Sequence, residues 1–209
     1  MAELIIFDFD GTLSDSRHSI VLCFQGACRE RGFEAPDEQV IAPLIGLPLV
    51  EMFPRSLGAL GTSEIDALVQ SYRDLYVPID LQHTTLFEGV PELLSGLAGR
   101  RMAIATSKSQ QGAERSVGRA GLTHHFEMLV GHDSVARPKP NPDMIEFILE
   151  RTGVAPQDAV MVGDTTFDLE MADNAGVRAV GVSWGMHGAE RLARWEVVQD
   201  MAGLRGALG

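Results

Sequence analysis

Leu4-Ile5-Ile6-Phe7-Asp8-Phe9-Asp10-Gly11-Thr12 is the stretch on which the fold turns. Four consecutive apolar residues read as a strand buried on both faces, the pattern of a parallel sheet covered by helices. The strand then runs without a break into two carboxylates. A carboxylate at the edge of a buried strand costs free energy unless a cation or donors compensate it, so Asp8 demands a partner. Asp10-Gly11 alone reads equally as a tight turn.

Four more short apolar runs follow: Met102 to Thr106, Met128 to Val130, Ala159 to Val162 and Ala179 to Ser183. Amphipathic helical stretches separate them, as βα units of an open sheet require. Pro91 suits the first turn of a helix ending near Gly96 to Gly99, and Pro142 that of a helix ending at Gly153. The expected fold is α/β, a doubly wound parallel sheet. More than ninety residues separate the first two strands, too many for one crossover. Between Ser14 and His83, Ile20-Val21-Phe24 and Ile65-Leu68-Val69-Tyr72-Leu75 repeat at helical spacing, broken at Gly32, Pro36, Pro43, Gly46-Leu47-Pro48 and Gly58 to Gly61. The expected organisation is therefore a helical insertion, residues 14–83, on a core of residues 1–13 and 84–209. Hinges fall near Leu13 to Ser16 and Gln82 to Thr85.

The composition narrows the function. The chain has 209 residues, 45% hydrophobic and 22% charged, which is ordinary for a folded globular protein. Its 29 acids outweigh 17 bases, for a net charge of −12, so a nucleic-acid partner is not expected. Cys23 and Cys28 are too few for a disulfide scaffold or a zinc site and read as ordinary small residues. No apolar run approaches the ~20 residues needed to cross a bilayer, and Glu3 and Asp8 interrupt any signal-like start. The expectation is a cytoplasmic protein with no membrane contact. His124-His125 reads as a surface pair, and the absence of a Gly-x-Gly-x-x-Gly or phosphate-loop lysine motif argues against a nucleotide cofactor.

A second acidic cluster, Val162-Gly163-Asp164-Thr165-Thr166-Phe167-Asp168, ends another apolar run. Asp168 falls in the first turn of the next helix, where capping is its plainest role. If the two strands are neighbours, Asp8, Asp10, Asp164 and Asp168 gather around one hollow lined by hard oxygen ligands, the chemistry of a Mg²⁺ site. Ala105-Thr106-Ser107-Lys108 offers hydroxyls and a helix N-terminus able to hold a phosphate, though it reads equally as a plain N-cap. In Arg137-Pro138-Lys139-Pro140 the prolines restrict the backbone around one aimed lysine. Lys108 and Lys139 are the only two lysines, against fifteen arginines, and both fall in these loops.

These pieces, in this order and along the entire chain, resemble the haloacid dehalogenase superfamily. Its phosphatases carry Asp-x-Asp-Gly-Thr on the first strand, and the insertion after Leu13 is similar to the cap of one of its branches. The resemblance implies a phosphoric monoester hydrolase in which Asp8 attacks a phosphate ester and becomes a phospho-aspartate. Asp10 then protonates the leaving oxygen and activates the hydrolytic water. It implies Mg²⁺ on the Asp8 carboxylate, the Asp10 carbonyl and Asp164, with Asp168 close by. Thr106, Lys139 and backbone N–H groups near Phe9 and Ser107 would hold the phosphoryl oxygens, with Lys108 beside them and Arg17 and His18 as candidate contacts to the leaving group.

Asp10 argues against dehalogenation, and the lack of any lysine between Ser14 and His83 argues against phosphonate cleavage. A phosphosugar mutase needs a basic grip for a second phosphate, yet Leu44-Ile45-Gly46-Leu47-Pro48-Leu49-Val50 carries none. That stretch and Val182-Ser183-Trp184-Gly185 are similar to the phosphoglycolate phosphatase group, making 2-phosphoglycolate the first-ranked substrate. A β-phosphoglucomutase type of mutase and an inorganic pyrophosphatase are the alternatives. A response-regulator receiver also pairs acids with a lysine, but it accepts phosphate on a middle strand and has no inserted cap. The expected partner is a small phosphate ester; the cap covers the site, so a monomer suffices.

Overall fold

A computed structural model describes residues 2–209. Its strands are β1 (Leu4–Phe7), β2 (Ser14–Asp15), β3 (Thr85–Leu86), β4 (Arg101–Ala105), β5 (Met128–Val130), β6 (Ala159–Gly163), β7 (Arg178–Val182) and β8 (Glu196–Val198). The α-helices are α1 (Arg17–Glu30), α2 (Glu38–Ile41), α3 (Leu49–Leu57), α4 (Thr62–His83), α5 (Val90–Gly96), α6 (Gln110–Arg119), α7 (Asp143–Thr152), α8 (Thr166–Asn174), α9 (Ala189–Leu192) and α10 (Met201–Leu208). Six strands form one sheet in the order β5-β4-β1-β6-β7-β8, every neighbouring pair parallel.

The chain builds outward from β1 to β5, then returns to the other side of β1 and builds outward again. Ligands of open α/β sheets bind at such a reversal, beyond the carboxyl ends of the strands. Burial on both faces explains the unbroken apolar runs. Ile5 and Phe7 of β1 join Met102, Ile104, Val160 and Val162 in the core under α5, α6 and α10. Leu4 and Ile6 join Ala103, Ala105 and Met161 in the core under α7 and α8. Alternate residues of one strand thus serve two layers, as the period of two dictates.

Helices α1 to α4 lie between β1 and β4 and bury their own apolar cluster, including Phe24, Phe53, Leu68 and both cysteines. Phe24 and Phe53 stack at 4.2 Å within it. This is the cap. Where the chain crosses between the two cores, β2 and β3 pair antiparallel, Ser14 opposite Leu86 and Asp15 opposite Thr85. That ribbon falls at the expected hinges but was not foreseen, because two-residue strands have no periodicity to read. Strand β8 was missed as well, since Glu196-Val197-Val198 begins with a charge and holds only two apolar residues. Among the described residues, no helix is long and apolar enough to cross a membrane.

Candidate active site

Pairing of β1 with β6 places Phe7 opposite Val162, so the residues that follow each strand emerge side by side. The Asp8 amide donates to the Val162 carbonyl at 2.9 Å, one step beyond the ladder. Asp8, Asp164 and Asp168 are all buried, and each offers a carboxylate oxygen within 4.8 Å of the other two. Lys139, itself 1% exposed, donates to Asp8 Oδ1 at 2.7 Å and to Asp168 Oδ1 at 2.5 Å.

Asp168 serves two purposes at once. Its Oδ2 accepts from the Thr165 amide at 3.0 Å and the Thr165 hydroxyl at 2.6 Å, closing a capping box on α8. Its other oxygen takes the lysine, so capping fixes the carboxylate that fixes Lys139. Asp164 accepts from the Thr12 hydroxyl at 2.9 Å and from the Met186 amide at 2.6 Å. Gly11 explains the turn between Asp10 and Thr12. Its φ of 87° favours glycine, and a Cβ there would collide with the Asp164 carboxylate.

Charge and burial are in tension here. Burial pushes the Asp8 carboxyl up to about 7, with Lys139 opposing and Asp168 and Asp10 adding to the rise. Burial also lifts Asp164 well above the carboxylate range, reinforced by Asp168 and Asp8. Burial disfavours the charge on Lys139, but Asp168 and Asp8 outweigh it and hold its pKa above the ordinary value. Asp10 Oδ2 pairs with Lys108 at 2.8 Å, while its Oδ1 is buried with no protein partner. Four carboxylates therefore face two ammonium groups, leaving an excess of two negative charges. An oxygen-rich cluster short of two positive charges fits a divalent cation such as Mg²⁺.

The phosphate-side residues divide. Thr106 is buried at the end of β4, and its Oγ1 accepts from the Lys108 amide at 3.3 Å. Ser107 instead donates to the Gly46 carbonyl of the cap at 2.5 Å. Gly46 has a φ of 108°, and a Cβ there would come within 3.0 Å of Thr165 and Phe167. The apolar loop from Leu44 to Val50 is thus a seat of the cap on the core. Phe9 is buried in the core, which leaves only its backbone to offer a ligand.

Lys108 does more than the sequence suggested. Its Nζ also donates to the Tyr76 hydroxyl at 2.7 Å, and Tyr76 donates to Asp80 at 2.9 Å. Asp80, 3% exposed, pairs with Arg119 of α6. A polar chain therefore runs from Asp10 through Lys108 of the core and Tyr76 and Asp80 of the cap to Arg119 of the core. Tyr76, Asp80 and Arg119 were missed because helical periodicity gives the face of a residue and not its partner.

Arg17 and His18 are corrections to the sequence reading. Arg17 donates to the carbonyls of Gly185 and Met186 at 2.7 and 3.1 Å, bracing the loop that holds Asp164. His18 is exposed and meets His83 edge to face at 5.0 Å, where the cap joins the core. Neither lines the cleft of about 500 Å³ that holds Asp8, Asp10, Thr106, Ser107 and Lys108. Side-chain reach explains the miss. Both residues follow the first motif closely in sequence, but of α1 it is Ile20 that lines the cleft, while Arg17 engages the Gly185 and Met186 carbonyls and His18 meets His83. His187 was not singled out either. It is buried, accepts from the Thr166 amide at 3.0 Å and makes a 3.1 Å hydrogen bond to the Pro43 carbonyl of the cap.

Known proteins share this build. A family model described as haloacid dehalogenase-like hydrolase matches residues 5–182. A protein of Dickeya dadantii named Probable phosphatase IndB is 39% identical over 207 residues, covering 96% of this chain and 90% of that one. Pyrophosphatase PpaX of Bacillus velezensis is 29% identical over 196 residues, covering 92% and 88%. The crystal structure of a predicted phosphoglycolate phosphatase from Haemophilus somnus superposes with a TM-score of 0.89, at 23% identity over 100% of this chain and 98% of that one. At that identity the likeness is one of fold. The chain belongs to the haloacid dehalogenase-like hydrolases. It is a capped member, with the cap inserted between the first and second strands of the six-stranded sheet.

Proposed function

We propose that this hydrolase releases inorganic phosphate from a small phosphate monoester through a phospho-aspartate on Asp8. The protein is a phosphoric monoester hydrolase, and the observation that carries the mechanism is the buried pairing of Lys139 with Asp8 and Asp168. Lys139 occupies Asp8 Oδ1, while Oδ2 has no hydrogen bond from the described protein groups and is the atom free to attack phosphorus. Asp10 Oδ1, buried and unpartnered, is the atom that holds the proton given to the leaving oxygen and then takes one from the hydrolytic water. Thr106, Lys139 and backbone groups around Phe9 and Ser107 hold the phosphoryl oxygens. Lys108 orients Asp10.

Asp8, Asp164 and the Asp10 carbonyl, with Asp168 close by or acting through water, would hold Mg²⁺, which supplies charge neutralisation for the phosphoryl group. Residues 14–83 act as the cap over a core of residues 1–13 and 84–209, excluding water from the cleft. The leading substrate is 2-phosphoglycolate. The cap loop from Leu44 to Val50 offers no grip for the second phosphate of a phosphosugar, since it is apolar and its Gly46 carbonyl is already bonded to Ser107. The test is phosphate release from 2-phosphoglycolate, β-glucose 1-phosphate, pyrophosphate and an aryl phosphate, each with Mg²⁺ and with chelator. Mg²⁺-dependent release favouring 2-phosphoglycolate is expected. Conversion of glucose 1-phosphate to the 6-phosphate without net release would replace hydrolysis with transfer.

A further inference from the structure

In an acidic protein, a positive side chain left without a partner invites explanation. All but three of the fifteen arginines have a hydrogen bond, an ion pair or an aromatic ring contact among the described residues. The exceptions are Arg73, Arg115 and Arg191. Two of the three, Arg73 and Arg115, line the single cleft that contains Asp8 and Asp10.

Their positions are complementary. Arg73 is on α4 of the cap and Arg115 on α6 of the core. These helices are clasped together by Asp80 and Arg119. Arg73 precedes Asp80 by seven residues and Arg115 precedes Arg119 by four, so each shares a helix face with its half of the clasp. At 1.5 Å per residue they sit about 10 Å and about 6 Å along their helices from it. The cleft thus takes one arginine from each layer, Arg73 from the cap and Arg115 from the core. Neither is ion-paired with the rim carboxylates: Asp74 accepts from Gln70 at 2.8 Å and Asp133 from the Gln110 amide at 2.7 Å. His132 at the same rim adds no compensating negative charge; its pKa is lowered by burial, with the charge of Arg73 among the lesser causes.

We infer that Arg73 and Arg115 together bind a second anionic group, carboxylate or phosphoryl, on the leaving group of the substrate. The inference rests on the phosphatase reading above and specifies its substrate class: esters whose leaving group is itself an anion. The cap wall between the arginines and the acids is apolar, with Leu47, Leu49, Val50, Met52 and Val69, so the leaving group also has room for a hydrocarbon body. The arginines offset the repulsion that a net charge of −12 imposes on a doubly anionic ester. Binding by both arginines also requires cap and core to be together, so such a leaving group favours the closed cleft.

The test compares phenyl phosphate, 3-carboxyphenyl phosphate and 1,3-phenylene bisphosphate on the full-length wild type, R73Q, R115Q and R73K, each with Mg²⁺. A meta carboxylate barely alters the acidity of the phenol, so a difference between the first two probes reports recognition rather than leaving-group chemistry. The wild type is expected to prefer at least one anionic probe in kcat/KM by about tenfold or more, mainly through KM. Which anionic probe is preferred distinguishes carboxylate from phosphoryl. R73Q and R115Q are each expected to cut that preference by about fivefold, with R73K between them and the wild type. Because the readout is a ratio within each variant, any general loss of activity cancels. Equal kcat/KM for all three probes in the wild type, or an undiminished preference in both Gln variants, overturns the inference and leaves the phosphatase reading standing. No release from any probe, phenyl phosphate included, overturns the phosphatase reading and this inference with it.

Discussion

On the core side of the cleft, Asp8, Lys139 and Asp168 share one buried network, with lysine-to-carboxylate distances of 2.7 and 2.5 Å. The cap side of the same cleft presents mainly apolar side chains, with Gln70, Asp74, Tyr76 and the exposed, unpaired Arg73 of α4 among them. The core side is rigid by construction, because its acids continue hydrogen-bonded strands and its lysine is held from two directions. The cap side meets the core through specific contacts, among them Ser107 with Gly46, Lys108 with Tyr76, Asp80 with Arg119, His187 with Pro43, and Arg17 with the Gly185–Met186 carbonyls. In our account the core performs the chemistry and the cap chooses the leaving group. Substitutions on the two sides should therefore have different signatures.

The largest effect is expected at Lys139. K139M leaves two buried carboxylates without their shared cation, which costs about 3–5 kcal/mol of folding stability when one partner of a buried pair is removed. Turnover should fall with it by about a thousandfold, since charge stabilisation in a dry site is the dominant catalytic term. Urea unfolding and steady-state kinetics measure the two losses. Next is D10N, which should lower turnover of an alkyl phosphate about 10²- to 10⁴-fold, the range of general acid-base catalysis. The loss should be smaller for an aryl phosphate, whose leaving oxygen needs its proton less. Equal losses on both would remove Asp10 from proton transfer to the leaving group.

A smaller change is expected at Thr12. T12V removes the 2.9 Å hydrogen bond to buried Asp164 and should weaken Mg²⁺ binding about tenfold, as loss of a partner to a metal-binding carboxylate does. Titration calorimetry checks it, with T12S expected to restore the affinity. The smallest effect belongs to the cap chain. Y76F removes a hydroxyl that accepts from Lys108 and donates to Asp80, and should cost about 1 kcal/mol or less of stability with a several-fold loss of kcat. If Y76F matched K139M, the division between a chemical core and a selecting cap would fail.

The same division governs what the sequence discloses. Each acid at a strand end follows an apolar run, so Asp8 and Asp164 could be read from the pattern, but that their strands adjoin is supplied by the pairing of β1 with β6. Lys139 stood out because lysine is scarce and two prolines flank it. The cap contacts had no such marker. Tyr76 reads as one more residue of an amphipathic helix, and its bond to Lys108 depends on how two separately folded layers meet. Arg17 illustrates the opposite error. Closeness in sequence to Asp10 suggested a role in the cleft, but its guanidinium bonds the Gly185 and Met186 carbonyls and braces the Asp164 loop instead.

The most direct test of the Asp8 nucleophile is acid-quench trapping with radiolabelled phosphate ester and Mg²⁺, on the wild type and D8N, with circular dichroism to verify the fold of the variant. The account predicts label retained on the wild-type protein, absent from D8N, and turnover abolished in the variant. Full turnover by D8N, or equal labelling of both proteins, would contradict it.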